Sequence, residues 1–253
     1  MRREACPWLP RLAGHLTSRG FFMRELQFAW KQTFPIFFTY IFIGIAFGIM
    51  MTEAGYSAAV SVLSAVFVYA GSMQIVMVSL LRSGSSLLLI AVMTFFINGR
   101  HIFYGLGFID RFRRMGWRYP YMVFSLTDET YSILCSVQYG EGIDPKRADF
   151  LIALLDHCYW ILGCFLGSAA GRILPWDMEG IDFSATAFFL IVVLGQWKQS
   201  RSKLPTIIGL TSAILFYLIL GPDYFLIPAL SVSMVTLVIL RDAVAGQPGG
   251  VCE

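Results

Sequence analysis

FPIFFTYIFIGIAFGIMM, residues 34–51, contains no charged side chain. A transmembrane helix needs roughly 20 largely apolar residues, each adding about 1.5 Å of rise, so this stretch nearly matches a bilayer's hydrocarbon core. The rest of the chain repeats it. Further apolar runs fall at 56–81, 85–109, 120–139, 148–174, 183–197, 204–220 and 224–240. Short joins such as MTEAG, RSGSS, YGEGIDPKR, PWDMEGID and LGPD separate them, with the Gly, Pro and polar residues of turns. The 253 residues are 57% hydrophobic and 14% charged, against about 25% charged in an ordinary soluble domain. The pattern excludes a soluble globular domain. It predicts an all-α, polytopic helical membrane protein with about seven or eight membrane-embedded segments.

Charge placement then orders the chain. Residues 1–33 hold Arg2, Arg3, Arg11, Arg19, Arg24 and Lys31 against Glu4 and Glu25. They lack the apolar core and small-residue cleavage site of a secretory signal, and read as a basic, partly disordered cytoplasmic lead-in. Residues 34–240 form a single transmembrane domain, and 241–253 a short polar tail. Two loops are basic, DRFRRMGWR at 110–118 and KQSRSK at 198–203, and Lys and Arg in short loops mark the cytoplasmic face. Placing both loops and the N-terminus inside requires an even number of crossings in each interval, yet each interval holds three apolar runs. One or two runs are therefore expected to be broken or re-entrant, which backbone chemistry permits where protein or water covers the break. The candidates are 56–81, interrupted by YAGSMQ, and 183–197, which ends in GQWK.

Glycines recur at helical spacing. Gly44-x-x-x-Gly48 and Gly163-x-x-x-Gly167-x-x-x-Gly171 are small-residue stripes that let helices approach closely and pack by dispersion. The first stripe precedes Gly71-Ser72-Met73-Gln74 and the second precedes Gly195-Gln196, a faint internal echo of the kind found in transporters built from repeats.

Polar residues are few and grouped. In FFINGRHIFYG, residues 95–105, helical spacing puts Asn98, His101 and Gly105 on one stripe and Arg100 with Tyr104 on another. Arg100 either snorkels to lipid phosphates, with His101 as an interfacial anchor, or reaches a cavity. A charge in mid-membrane costs about 2.5–3.5 kcal/mol on insertion scales. In FSLTDETYSIL, residues 124–134, Asp128 and Glu129 lie near the middle of an apolar run beside Thr127, Tyr131 and Ser132. One acid can pair with Arg100 while the other takes up a proton, or both can serve only to hold helices together. Read as one helix, adjacent positions diverge by about 100°, so the two acids would not face the same space equally. Asp156, His157 and Trp160 form a weaker cluster. A break at Gly71–Gln74 would expose backbone groups and the Gln74 amide to a substrate, and half-helix N-termini attract carboxylates.

Other classes find little support. H-E-x-x-H, G-x-S-x-G and G-x-x-x-x-G-K-[ST] are missing, so no enzyme is indicated. The five cysteines show no C-x-x-C spacing, and neither a zinc site nor a disulfide framework is indicated. The net charge of +3 gives no reason to expect nucleic-acid binding.

Taken together, FPIFFTYIFIGIAFG, YAGSMQ, the N-x-R-H of Asn98–His101, the T-D-E-T-Y of Thr127–Tyr131 and the G-I-D-F of Gly180–Phe183 resemble the AzlC family. Its members are large subunits of bacterial branched-chain amino acid exporters. The resemblance spans 34–240. It implies a secondary transporter of the cytoplasmic (inner) membrane that exports leucine, isoleucine, valine and methionine, with a small AzlD-like partner subunit and no cofactor. On this reading Gly71, Ser72, Gln74, Asn98, Arg100, His101 and Tyr131 line the substrate path, and Asp128 and Glu129 serve proton coupling or an ion pair. The alternative is a non-transporting membrane scaffold whose buried polar residues are structural. Such proteins usually carry a side chain between the Asn and Arg of N-x-R-H, where this chain has Gly99. Glycine costs about 1 kcal/mol in a helix relative to alanine, so a kink is expected there.

Overall fold

The computed structural model describes residues 9–173, 190, 193–194, 197, 202–221 and 225–240, with side chains from Phe22 onward except that of Phe103. Most of the run 183–197 lies outside them, as do Gly195-Gln196, the G-I-D-F motif, most of the basic loop 198–203 and the tail 241–253. Among the described residues every regular element is a helix.

Two helices form the frame. α1 runs from Leu9 to Glu53 and α8 from Pro145 to Ile173, and both are long and apolar enough to cross a membrane. The expected boundary at residue 34 is not a structural one, because α1 continues unbroken from Leu9 through Pro35. Glu25, Ala29 and Thr33 are already buried, so this part of the lead-in belongs to the packed domain. Thr33 Oγ1 lies 3.1 Å from the Tyr159 hydroxyl of α8.

α1 and α8 meet along their glycines. A Cβ at Gly48 would lie 2.4 Å from the Cys164 carbonyl oxygen, and one at Gly167 only 2.1 Å from that of Ile45. Gly44 and Gly163 oppose each other in the same way, while Gly171 faces the Thr52 side chain at 3.2 Å. The approach lets Ser168 Oγ donate to the Gly48 carbonyl oxygen at 3.2 Å. Cys164 is a buried free thiol and Cys158 an exposed one. Cys135 is disulfide-bonded, which the cysteine spacing did not indicate.

Three broken helices pack around this frame: α2 (Ala58–Phe67) with α3 (Gly71–Arg82), α4 (Leu87–Asn98) with α5 (Arg100–Arg113), and α6 (Tyr119–Phe124) with α7 (Asp128–Ser136). A 3₁₀ turn, Gly116–Arg118, precedes α6. α9 (Leu204–Leu220) and α10 (Leu226–Ile239) pack on each other, and α10 touches α4. Among the described residues the similar apolar runs thus resolve into two full-length spans, or three if α4 and α5, bent by 42°, count as one. The break expected in 56–81 is present at 68–70. The run 120–139, read from its apolar content as one helix, is also broken, at 125–127. There Ser125 Oγ donates to the Tyr121 carbonyl oxygen at 2.8 Å, and Thr127 Oγ1 accepts from the Thr130 N–H at 3.4 Å. Hydroxyl side chains that bond to nearby backbone compete with helix continuation.

Candidate functional site

The ends of the broken helices converge on one cavity against α1 and α8. α3 contributes Gly71 and Ser72, the α4–α5 bend contributes Asn98, Arg100 and His101, and α7 contributes Asp128 and Glu129. Tyr40 and Ile43 of α1 and Trp160 of α8 close it, with Tyr69, Ala70 and Thr127 at the breaks.

The α2–α3 break is built by Gln74. Tyr69 sits at φ +42°, the one positive φ outside glycine among the described residues, and the chain cannot continue its helix through it. The Ala70 N–H left over donates to Gln74 Oε1 at 3.0 Å, and Trp160 Nε1 donates to the same oxygen at 3.1 Å. Gln74 Nε2 donates to Ser64 Oγ at 3.2 Å. One fully buried amide therefore ties α2, α3 and α8 and satisfies a backbone group that hydrocarbon would leave unpaired. Gln74 braces the cavity from behind and does not line it. Tyr131 does not line it either: its ring stacks on Tyr104 at 4.5 Å and meets Phe108 edge-on.

At the α4–α5 bend a Cβ on Gly99 would meet the Phe95 carbonyl oxygen at 2.8 Å. The bend brings Asn98, Arg100 and His101 to one wall, although an unbroken helix would divide them between two stripes. His101 Nδ1 lies 3.0 Å from the Asn98 carbonyl oxygen. Arg100 Nη1 pairs with Asp128 at 2.7 Å, and its Nη2 donates to Ser72 Oγ at 3.2 Å.

Asp128 and Glu129 occupy the first turn of α7, capped by Thr127. A continuous helix would separate them, but at a helix start both reach the cavity. Acids are also favoured there by the positive end of the helix dipole. Tyr40 donates to Glu129 Oε2 at 2.8 Å, and its oxygen lies 2.7 Å from Thr127 Oγ1. Arg100 Nε and Asp128 Oδ1 are buried with no hydrogen-bond partner among the described residues. Both atoms lie behind the cavity surface, within the Arg100–Asp128 pair that forms part of the wall.

The cavity measures about 40 Å³, room for roughly three waters at about 10–15 Å³ each. A second cavity, of about 160 Å³, adjoins it and shares Tyr69, Ala70, Asn98 and His101. Among the described residues no three His, Cys, Asp or Glu side chains converge as metal ligands do.

Reading residues singly overlooked Tyr40, Tyr69 and Thr130. The signal for Tyr40 was present, since Tyr40, Gly44 and Gly48 follow i, i+4 spacing and share the face turned to α8. Asp156, in the weaker cluster, is fully buried and accepts from Thr130 Oγ1 at 2.8 Å.

Known proteins are similar to this chain in sequence. The family model described as AzlC protein matches residues 35–174, which include every element lining the cavity. An uncharacterized membrane protein of Helicobacter pylori is 32% identical over 220 residues, covering 87% of this chain and 96% of its own length. The branched-chain amino acid transport protein AzlC of Bacillus subtilis is 30% identical over 232 residues, 92% of this chain and 91% of its own. The inner membrane protein YgaZ of Escherichia coli is 27% identical over 179 residues, 68% and 73% of the two chains. No solved structure matches. With a matching model across the whole cavity-forming region and relatives aligned over most of their length, this helical membrane protein belongs to the AzlC family.

Proposed function

We propose that the chain is the large subunit of a secondary transporter that exports branched-chain and related hydrophobic amino acids, driven by the proton motive force. One observation carries this reading: the Arg100–Asp128 pair stands at a cavity between helix ends, with one buried atom of each residue unused. A zwitterionic amino acid brings the complementary pair, a carboxylate for Arg100 and an ammonium for Asp128. The N-terminus of α3, where Gly71 and Ser72 line the cavity, favours the carboxylate further. Ile43, Tyr69 and Trp160 supply apolar surface for an aliphatic tail. Such a surface separates neighbours differing by one methylene by only about 1–3 kcal/mol, so the substrate range is broad. The Bacillus subtilis relative's name supports the same class of substrate.

The cavity is smaller than its proposed occupant, so the broken helices part to admit it, and α1 with α8 stays as the fixed frame. Each broken pair counts as one membrane-embedded segment among seven or eight. The N-terminus and the two basic loops face the cytoplasm of a bacterial cell whose inner membrane holds the protein. Glu129, bonded to Tyr40, takes part in proton coupling, and a small AzlD-like membrane subunit completes the assembly.

The test uses cells without their own exporters, producing the chain with its candidate small subunit and loaded with a hydrophobic dipeptide. Asp128→Asn is isosteric, and Arg100→Gln removes the charge while keeping a polar head. Normal membrane abundance with lost efflux is the expected result. Parallel loss of abundance and efflux would favour a scaffold, and undiminished efflux in both variants would remove the assigned roles.

A further inference from the structure

Glu129 and Asp156 are joined by a chain of hydroxyl groups drawn from α1 and the start of α7. Tyr40 OH lies 2.8 Å from Glu129 Oε2 and 2.7 Å from Thr127 Oγ1. Thr127 Oγ1 lies 3.2 Å from Thr130 Oγ1, which lies 2.8 Å from Asp156 Oδ2. Three of the four links are within the usual O–H···O range and the Thr127–Thr130 link is slightly longer.

Four hydrogen bonds need four protons, and the three hydroxyls supply one each. An ionised carboxylate only accepts. With both acids charged, one link has no proton; with one acid protonated, all four links close.

We infer that Glu129 and Asp156 share a single proton through Tyr40, Thr127 and Thr130, so that Asp156 is a second proton-holding residue of the site. With the proton on Glu129, its O–H donates to Tyr40, Tyr40 to Thr127, Thr127 to Thr130 and Thr130 to Asp156. When each oxygen passes its proton to the next, Asp156 gains one and Glu129 loses one. The three hydroxyls stay neutral and all four bonds reverse. Glu129 is the end that meets the cavity, whereas Asp156 is fully buried in α8, its Oδ1 without a partner among the described residues. Asp128, next to Glu129, is paired with Arg100 and forms no link of the chain. Nor do the other titratable groups enter the chain. His157 bonds Tyr121 and the Ala65 carbonyl oxygen, and the Tyr69 hydroxyl, near Tyr40 and Asp156, makes no hydrogen bond within 3.5 Å among the described residues. The chain gives a proton taken up at the cavity a resting place away from the substrate pair; its use in a transport cycle rests on the function proposed above.

The infrared carbonyl stretch of a protonated carboxyl, measured on the full chain in lipid without substrate, reads this directly. A carboxamide in place of either acid supplies the fourth proton from its own N–H and lets the remaining carboxylate stay ionised. Glu129→Gln and Asp156→Asn are therefore each expected to lose the same single protonated-carboxyl band, and the double variant to lose no more than either alone. Thr130→Val cuts the chain, and in that background Glu129→Gln no longer removes the band. A band that survives either single carboxamide variant, or a double loss in the double variant, would overturn the inference. Size-exclusion profiles identify variants that fail to fold, and the two single substitutions test the sharing from opposite ends. Because no substrate is present, this result stands apart from failure of the efflux assay.

Discussion

A methyl group added at Gly167 would sit 2.1 Å from the Ile45 carbonyl oxygen and 2.7 Å from the Ile45 Cα. Ordinary contact begins near 3.4 Å, so α1 and α8 must separate locally by about 1.3 Å, the difference between those two distances. Both opposing atoms are backbone, and no rotamer change can relieve the clash. Overpacking of this kind costs about 1–3 kcal/mol. The same displacement would stretch the 3.2 Å bond from Ser168 Oγ to the Gly48 carbonyl oxygen beyond hydrogen-bond range, adding about 1 kcal/mol. A total of about 2–4 kcal/mol corresponds, for a chain of this size, to a fall in Tm of roughly 5–15 °C. Thermal melting of purified Gly167→Ala in detergent, followed by the loss of the monodisperse elution peak, measures it. Gly105→Ala is the control, because a Cβ there meets nothing within 4 Å. A wild-type Tm for Gly167→Ala would refute the view that α1 and α8 form a closed backbone seam.

Gln74→Met keeps the bulk but leaves the Ala70 N–H and the Trp160 indole N–H without their acceptor. Each buried orphan costs about 1–3 kcal/mol, so the melting temperature should fall by several degrees while Gln74→Glu retains part of it. Arg111 donates to Asp149 from Nε at 2.8 Å and from Nη2 at 2.7 Å, and Asp149 is almost fully buried. Arg111→Met should lower membrane abundance sharply, by on the order of 2–3 kcal/mol, at or below the range of about 3–5 for a fully buried pair. Unchanged abundance on quantitative blotting would count against that clasp between α5 and α8. Thr127→Ala removes the cap of α7 at about 1 kcal/mol, and Thr127→Ser should restore stability in the same melt.

Composition made the membrane class legible, and glycine spacing marked two close-packing stripes, which the structure joins in the α1–α8 seam. Arg100, Asp128 and Glu129 were visible because charges are costly in apolar runs. Their geometry was less legible, since hydropathy cannot distinguish a continuous helix from two half-helices. The signal for the α7 start was nonetheless local: Thr127 followed by two acids is an N-terminal capping pattern, overlooked because the surrounding run is apolar. Gln74 illustrates the opposite difficulty. Beside Gly71 and Ser72 it resembled a substrate ligand, and only the Tyr69 backbone, with its diverted Ala70 N–H, makes it a brace. Tyr131 was grouped with its acidic neighbours by sequence, whereas its position in α7 turns it to the aromatic cluster with Tyr104 and Phe108.

Tyr69 stands where the two cavities share their wall, held at φ +42° with its ring stacked on His157 at 4.2 Å. A left-handed backbone costs a residue with a side chain roughly 1–2 kcal/mol. That energy returns when the tyrosine leaves this conformation, and no hydrogen bond to its hydroxyl among the described residues has to break first. A factor of about ten, at 1.4 kcal/mol per decade, is what the His157 stacking and the Gln74 bond to the Ala70 N–H offset in holding the partition. The partition between the two chambers is thus a strained turn held in place by its neighbours.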